Sequence, residues 1–211
     1  MNGLIIFDMD GTLADTSPNI FKSYIHVAEK MNFDKPDLES LYNSLGGPLT
    51  DNIGRLYNLK DEEIKIAVDI YREYYSTLPL VNPYRGIPDV LNVLKKSGYA
   101  LAVATLKRKD FAEDLIEHWG LDEMFSSIQG SDERDSKSKS QMIDTCMKET
   151  GFSNLDTTMI GDSLSDYEAS LKSDVSFIGA SYGFSLPERM CIECNIQYVL
   201  DPIGILNIVK I

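Results

Sequence analysis

The sequence predicts an α/β fold, a doubly wound parallel sheet with an all-helical unit inserted early, and three observations carry that reading. Short, wholly apolar runs recur and end on polar groups. Segments of helical spacing alternate with them. The distance between the first two runs is far longer than a simple crossover. Leu4 to Phe7 is the first run and closes on Asp8. A strand covered on both faces reads as a continuous hydrophobic stretch, and a polar group at its carboxyl end stands where open parallel sheets present ligands. Leu101 to Thr105 repeats the pattern, as does Thr157 to Ile160, which runs into Gly161 and Asp162; Val175 to Ile178 and Tyr198 to Leu200 complete the set. Between them, Val90, Leu91 and Leu94 precede Gly98, and Ile143, Cys146 and Met147 precede Gly151, each glycine suiting a helix end. Strand and helix alternate, which implies a parallel sheet.

About 90 residues separate Asp8 from Leu101, whereas a parallel crossover needs only about a dozen or more. Within that gap Ile20, Tyr24, Val27, Ala28 and Met31 share one helical face, and Ile64, Val68, Tyr71 and Tyr75 share another. These helices have no sheet to cover and must pack on one another. The expected organisation is a core of residues 1–14 and 81–211 with a helical cap over residues 15–80. The aromatics of the insertion read as its core rather than as a substrate-stacking box. The polar stretch Ser131 to Ser140 reads as a loop entering a helix that begins near Gln141.

At 211 residues and 43% hydrophobic, the chain is long enough for one ordinary core plus a smaller appended unit. No apolar run approaches the roughly 18 residues of a membrane helix, and the N-terminus lacks the pattern of a secretory signal, so a cytoplasmic, membrane-free protein is expected. The net charge of −13 opposes binding a nucleic acid backbone. A phosphate must then be held locally, which draws attention to Lys107-Arg108-Lys109 and to Arg134 with Lys137 and Lys139. Three cysteines are too few for a disulfide framework. Cys191 and Cys194 form a CxxC without the second pair or histidines of a zinc site, and read as two small buried hydrophobes.

The chemistry-bearing residues sit at the strand ends. Asp8-Met9-Asp10-Gly11-Thr12 places two carboxylates two residues apart, on one side of an extended chain. Such a pair repels unless a hard cation shares it, and Mg²⁺ takes oxygen ligands of this kind. Gly161-Asp162-Ser163-Leu164-Ser165-Asp166 supplies two more acids at another strand end, so all four are candidates for one site. Either segment alone could be a solvated turn. Thr105 stands at a third strand end. Lys139 lies at a helix start, where a cation opposes the helix dipole unless an anion shares the site; Lys137 is a nearby rival.

Taken together these segments resemble the haloacid dehalogenase superfamily, specifically its phosphoglycolate phosphatase-like group with a helical cap. DMDGTLADT is similar to the family's first motif, VATLK (Val103 to Lys107) to its second, SKSQMI around Lys139 to its third and GDSLSD to its fourth. LGGPL (Leu45 to Leu49) resembles the cap specificity loop, and the likeness extends to the stretch from Tyr84 to Thr105 and to YGF at Tyr182 to Phe184. The resemblance implies a Rossmann-like core and a magnesium-dependent phosphatase. It makes Asp8 the nucleophile, Asp10 the general acid/base, and Thr105, the Leu106 N–H and Lys139 partners of the phosphoryl group. It implies Lys107 and Gly47 as substrate contacts, and Mg²⁺ held by Asp8, Asp10 through its carbonyl, and Asp162, with Asp166 as support or ligand. The implied partner is a small phosphate ester such as phosphoglycolate or a nucleoside monophosphate. Two positions depart from the pattern: Leu106 replaces a small polar residue, and Arg85 stands where proline is common. His26 and His118 read as surface or packing residues.

A β-phosphoglucomutase-like phosphotransferase would keep the fold, with Lys22, His26 and Arg55 available to a sugar phosphate. A dehalogenase needs no acid at position 10. A phospho-acceptor signalling domain runs about 120 residues without a cap and carries its aspartate on a middle strand. A noncatalytic binding protein is disfavoured because every expected catalytic position is filled.

Overall fold

In the computed structural model, which describes residues 2–133 and 135–209, Gly3–Phe7 forms β1, buried along its whole length. Arg134, noted above with Lys137 and Lys139, lies outside the described residues. The chain divides into two compact units, Met1–Asp15 with Val81–Ile211, and Thr16–Leu80. The remaining strands, β2 (Tyr99–Arg108), β3 (Ser127–Ser131), β4 (Thr157–Gly161), β5 (Ser176–Ala180) and β6 (Tyr198–Val199), all belong to the first unit. They form one sheet in the order β3-β2-β1-β4-β5-β6 with every neighbouring pair parallel. β1 and β4 are central neighbours from which successive strands run outward in opposite directions. In open α/β sheets such a reversal point, at the carboxyl ends, is where ligands bind.

The helical unit contains α1 (Ser17–Met31), α2 (Leu38–Tyr42), α3 (Leu49–Tyr57) and α4 (Asp61–Tyr75). α1 buries Ile20, Tyr24, Val27 and Ala28, and α4 buries Ala67, Val68, Tyr71 and Tyr75, the two stripes facing each other with the Tyr24 and Tyr71 rings 5.1 Å apart. The aromatics therefore build this unit's core. Tyr24 Oη donates to Ser44 O at 3.1 Å, and Tyr57 Oη donates to Tyr24 O at 2.5 Å. Asp61, Glu62 and Glu63 fill the first turn of α4, where carboxylates favour the positive end of the helix dipole.

In the sheet-containing unit, α5 (Ile87–Lys96), α6 (Lys109–His118), α7 (Lys139–Thr150), α8 (Leu164–Lys172), α9 (Glu188–Glu193) and α10 (Gly204–Ile208) follow. The two-residue period of β1 divides them. Ile5 and Phe7 join Val90, Leu91 and Leu94 of α5 and Leu115 and Ile116 of α6, while Leu4 and Ile6 join Met142, Ile143 and Cys146 of α7 and Ala169 of α8. Both faces of the sheet are thus covered, as the unbroken apolar runs require. No helix among the described residues is long and apolar enough to cross a membrane.

Some boundaries differ from the sequence reading. β3 was not anticipated: Ser-Ile-Gln-Gly-Ser holds one apolar residue, and its buried Ser127 and Gln129 are satisfied by the Glu149 carboxylate at 2.6 and 3.0 Å. α7 begins at Lys139 rather than near Gln141, because Ser138 caps it: its Oγ accepts from the Gln141 N–H while Gln141 Oε1 accepts from the Ser138 N–H. Cys191 is buried but Cys194, at the end of α9, is exposed, so only one of the pair serves as a core residue.

Candidate active site

The site is assembled from the carboxyl ends of β1, β2 and β4. Asp8 follows β1 directly, and its N–H donates to Ile160 O of β4 at 2.9 Å, which fixes the two strand ends beside each other. The chain then turns sharply: Met9 O accepts from the Leu13 N–H at 2.9 Å, and the Gly11 N–H donates to Ala14 O at 2.8 Å. Gly11 has φ +81°, and a Cβ there would lie 2.1 Å from Asp162 Oδ2. This position must be glycine for both reasons. Asp162 follows β4, and its Oδ2 accepts from the Phe184 and Ser185 N–H groups at 2.9 and 3.2 Å. Gly183 permits that approach, since a Cβ on it would meet Gly11 O at 2.3 Å and Asp162 Cβ at 2.4 Å.

Asp166, in the first turn of α8, has two tasks. Its Oδ2 accepts from the Ser163 N–H at 3.1 Å and Ser163 Oγ at 2.6 Å, closing the helix cap. Its Oδ1 lies 2.6 Å from Lys139 Nζ. The same ammonium donates to Asp8 Oδ1 at 2.6 Å, and its side chain is only 6% exposed. A lysine at the start of α7 opposes the helix dipole, and these two carboxylates supply the compensating charge.

Asp8, Asp162 and Asp166 are all buried and each offers an oxygen within 4.8 Å of the others. Burial pushes the Asp8 carboxyl up to about 7; Lys139 pulls it down, and Asp166 and Asp10 raise it further. Burial also raises Asp162 well above the usual range, with Asp8 and Asp166 adding to the effect and the Phe184 and Ser185 N–H groups opposing it. Burial works against the Lys139 ammonium, but Asp166 and Asp8 outweigh it and hold its pKa above the usual lysine range. Three hard oxygen donors with one ammonium among them fit a divalent cation such as Mg²⁺, which favours carboxylate and water ligands.

This electrostatic arrangement gives a first prediction. Asp8 and Asp162 hold protons more tightly folded than unfolded, so the metal-free protein loses stability as pH rises from the ordinary aspartate value of 3.8 through about 7. A divalent cation favours the ionised carboxylates and offsets that loss. Between about pH 5 and about pH 7.5, the thermal midpoint in EDTA is expected to fall, and the gain on adding Mg²⁺ to grow. A Mg²⁺ gain that does not vary with pH would contradict this.

The structure thus brings Asp8, Asp162, Asp166 and Lys139 together, while Lys137 is exposed. The Asp10 carboxylate is not among the three clustered acids: Lys107 Nζ donates to its Oδ1 and Oδ2 at 2.9 and 3.2 Å. Thr105 is buried, and its Oγ1 accepts from the Lys107 N–H at 3.1 Å. Leu106 packs its side chain against the apolar cluster of Ala104 and Met142. Arg108 pairs with Asp110 and Lys109 with Glu113. Gly47 belongs to the helical unit, between α2 and α3, with φ +79°. There Arg55 Nη2 donates to Asn43 O at 2.9 Å and Asn52 Oδ1 at 2.7 Å, and Asn52 Nδ2 donates to Gly46 O at 2.9 Å, so Arg55 serves to brace this loop. His26 stacks on Tyr74 with ring centroids 4.0 Å apart. The hold on Asp162 by the Phe184 and Ser185 N–H groups, admitted by Gly183, has no side-chain signal in the sequence beyond the YGF likeness.

With this geometry established, the chain belongs to the haloacid dehalogenase-like hydrolase family, whose profile matches residues 5–180. Within it the chain falls in the phosphoglycolate phosphatase-like group. It is 30% identical over 200 residues to a 5'-nucleotidase of Pseudomonas aeruginosa, covering 93% of this chain and 90% of that protein. It is 29% identical to a phosphoglycolate phosphatase of Agrobacterium fabrum, covering 98% and 91% of the two chains. The crystal structure of a predicted phosphatase from Clostridium acetobutylicum superposes with a TM-score of 0.91 at 30% identity over 100% of both chains.

Proposed function

We propose that this enzyme is a Mg²⁺-dependent phosphatase that hydrolyses small phosphate monoesters through a phosphorylated Asp8. The observation that carries the reading is the pairing of each first-strand acid with its own lysine: Asp8 with Lys139 at 2.6 Å and Asp10 with Lys107 at 2.9 Å. Two neighbouring carboxylates in separate environments suit separate tasks.

Asp8 attacks phosphorus, the ester P–O bond breaks, and Asp10 gives a proton to the departing oxygen. A water molecule then attacks the aspartyl phosphate, Asp10 takes its proton, and inorganic phosphate leaves with Asp8 regenerated. Lys139 orients Asp8 for attack and favours its ionised form before the phosphoryl group is transferred. Thr105 Oγ1 and the Leu106 N–H are the donors for the phosphoryl oxygens. Mg²⁺ would be held by Asp8, the Asp10 carbonyl and Asp162, with Asp166 as support or ligand, and when bound supplies charge neutralisation at those oxygens.

For the substrate we infer a small phosphorylated metabolite of the phosphoglycolate or nucleoside monophosphate type. The two curated relatives above support this by the substrates in their names, and the net charge of −13 argues against a long phosphate polyanion. In a panel of phosphate esters with Mg²⁺, inorganic phosphate should be released from members of these classes, stop with EDTA and resume on restoring Mg²⁺. Full turnover in chelator, or no turnover of any ester, would contradict the proposal.

A further inference from the structure

Lys107 has a partner in the site that the likeness does not give it. The likeness put it on the substrate, yet it grips both oxygens of Asp10, at 2.9 and 3.2 Å, with its side chain 5% exposed and that of Asp10 22% exposed. The backbone is shaped to put it there. β2 pairs with β3 at Ala104↔Gln129 and next at Arg108↔Ser131, so residues 105–107 stand opposite the single residue Gly130. Such a bulge bends a strand and re-aims its side chains. Gly130 makes room for it: a Cβ there would lie 2.6 Å from Lys109 Cα and 2.8 Å from Lys107 O. The bulge is closed within itself by the Lys107 N–H donating to Thr105 Oγ1 at 3.1 Å.

We infer that Lys107 is a positioning residue, whose ammonium, delivered by the β2 bulge over Gly130, holds the Asp10 carboxylate in the orientation the acid/base step requires. This rests on the hydrolytic reading above and adds a division of labour between two lysines: Lys139 orients the nucleophile, and Lys107 orients the proton carrier. Misplacing a reacting group by about 1 Å can cost on the order of 10²-fold in rate, so a held carboxylate matters where protonation of the leaving oxygen limits the reaction.

The test compares Lys107→Met, Lys107→Gln and Lys107→Arg with wild type, with Mg²⁺, on an alkyl phosphate and on p-nitrophenyl phosphate. On the alkyl ester, Lys107→Met and Lys107→Gln should lose about 10²-fold in kcat with KM changed by less than about threefold. On p-nitrophenyl phosphate, whose anion departs without protonation, both should show a fast burst of nitrophenolate near one equivalent before a slow steady state. Lys107→Arg should recover much of the alkyl ester rate. A rise in KM at unchanged kcat would make Lys107 a substrate ligand and overturn the inference, as would equal losses on both esters without a burst. If wild type itself released phosphate from neither ester, the hydrolytic reading would fail instead.

Discussion

Replacing Lys139 with methionine should cost the metal-free protein about 3–5 kcal/mol at neutral pH, the usual penalty for removing one member of a buried ion pair. The side chain is 6% exposed, and its ammonium lies 2.6 Å from both Asp8 and Asp166. Methionine fills much of the same space, so the loss reports charge rather than volume. The penalty should also depend on pH. Asp8 is already raised to about 7 with Lys139 lowering it, so without the lysine it rises further. The variant then goes on losing stability with increasing pH above the window in which wild type does. Urea unfolding at about pH 5.5 and about pH 7.5 should therefore show a larger gap from wild type at the higher pH. Phosphatase activity should fall by about 10²–10³-fold, the cost of removing one preorganised donor. Wild-type stability at both pH values would show that the acids do not depend on this ammonium.

Asp8→Asn is expected to have the largest functional effect and the opposite structural one. An amide is a poor nucleophile, so turnover should drop by on the order of 10⁴-fold or more, as when a nucleophile is deleted elsewhere. Stability should not drop with it. The raised pKa of Asp8 means that burial penalises its charge more than Lys139 repays, and asparagine removes that charge at nearly the same volume. Lys139 retains Asp166 at 2.6 Å. The metal-free variant should thus be at least as stable to urea as wild type above about pH 7.5. A large loss of both stability and activity would recast Asp8 as a structural group.

How far the sequence disclosed this architecture depended on the kind of signal. β1, β2 and β4 were legible because a strand buried on both faces must be apolar. β5 and β6, partly exposed, were legible only as short apolar runs, and β5 lies at Ser176–Ala180 rather than Val175 to Ile178. The long gap after β1 stood out because crossovers are short. β3 was not legible, since its buried Ser127 and Gln129 trade hydrophobicity for hydrogen bonds to Glu149. The four acids could be listed from their places at strand ends. Choosing between Lys137 and Lys139 could not be done by spacing, because it turns on where the Ser138 cap starts α7. The link between Lys107 and Asp10 was invisible, depending on a bulge whose signal is one glycine in a neighbouring strand, Gly130. The carboxylate support from Phe184 and Ser185 comes from backbone groups, which any residue type would supply.

In the proposed reaction Asp8 carries the phosphoryl group between the two half-reactions. Asp10→Asn keeps the nucleophile and removes the group that activates water, so the intermediate should accumulate. The protein is mixed with Mg²⁺ and p-nitrophenyl phosphate, quenched in acid, digested and mapped by mass spectrometry. One phosphoryl group is expected on the peptide that contains Asp8, absent when Asp8→Asn is added. Nitrophenolate release with no phosphorylated peptide, or a label on any other residue, would contradict it.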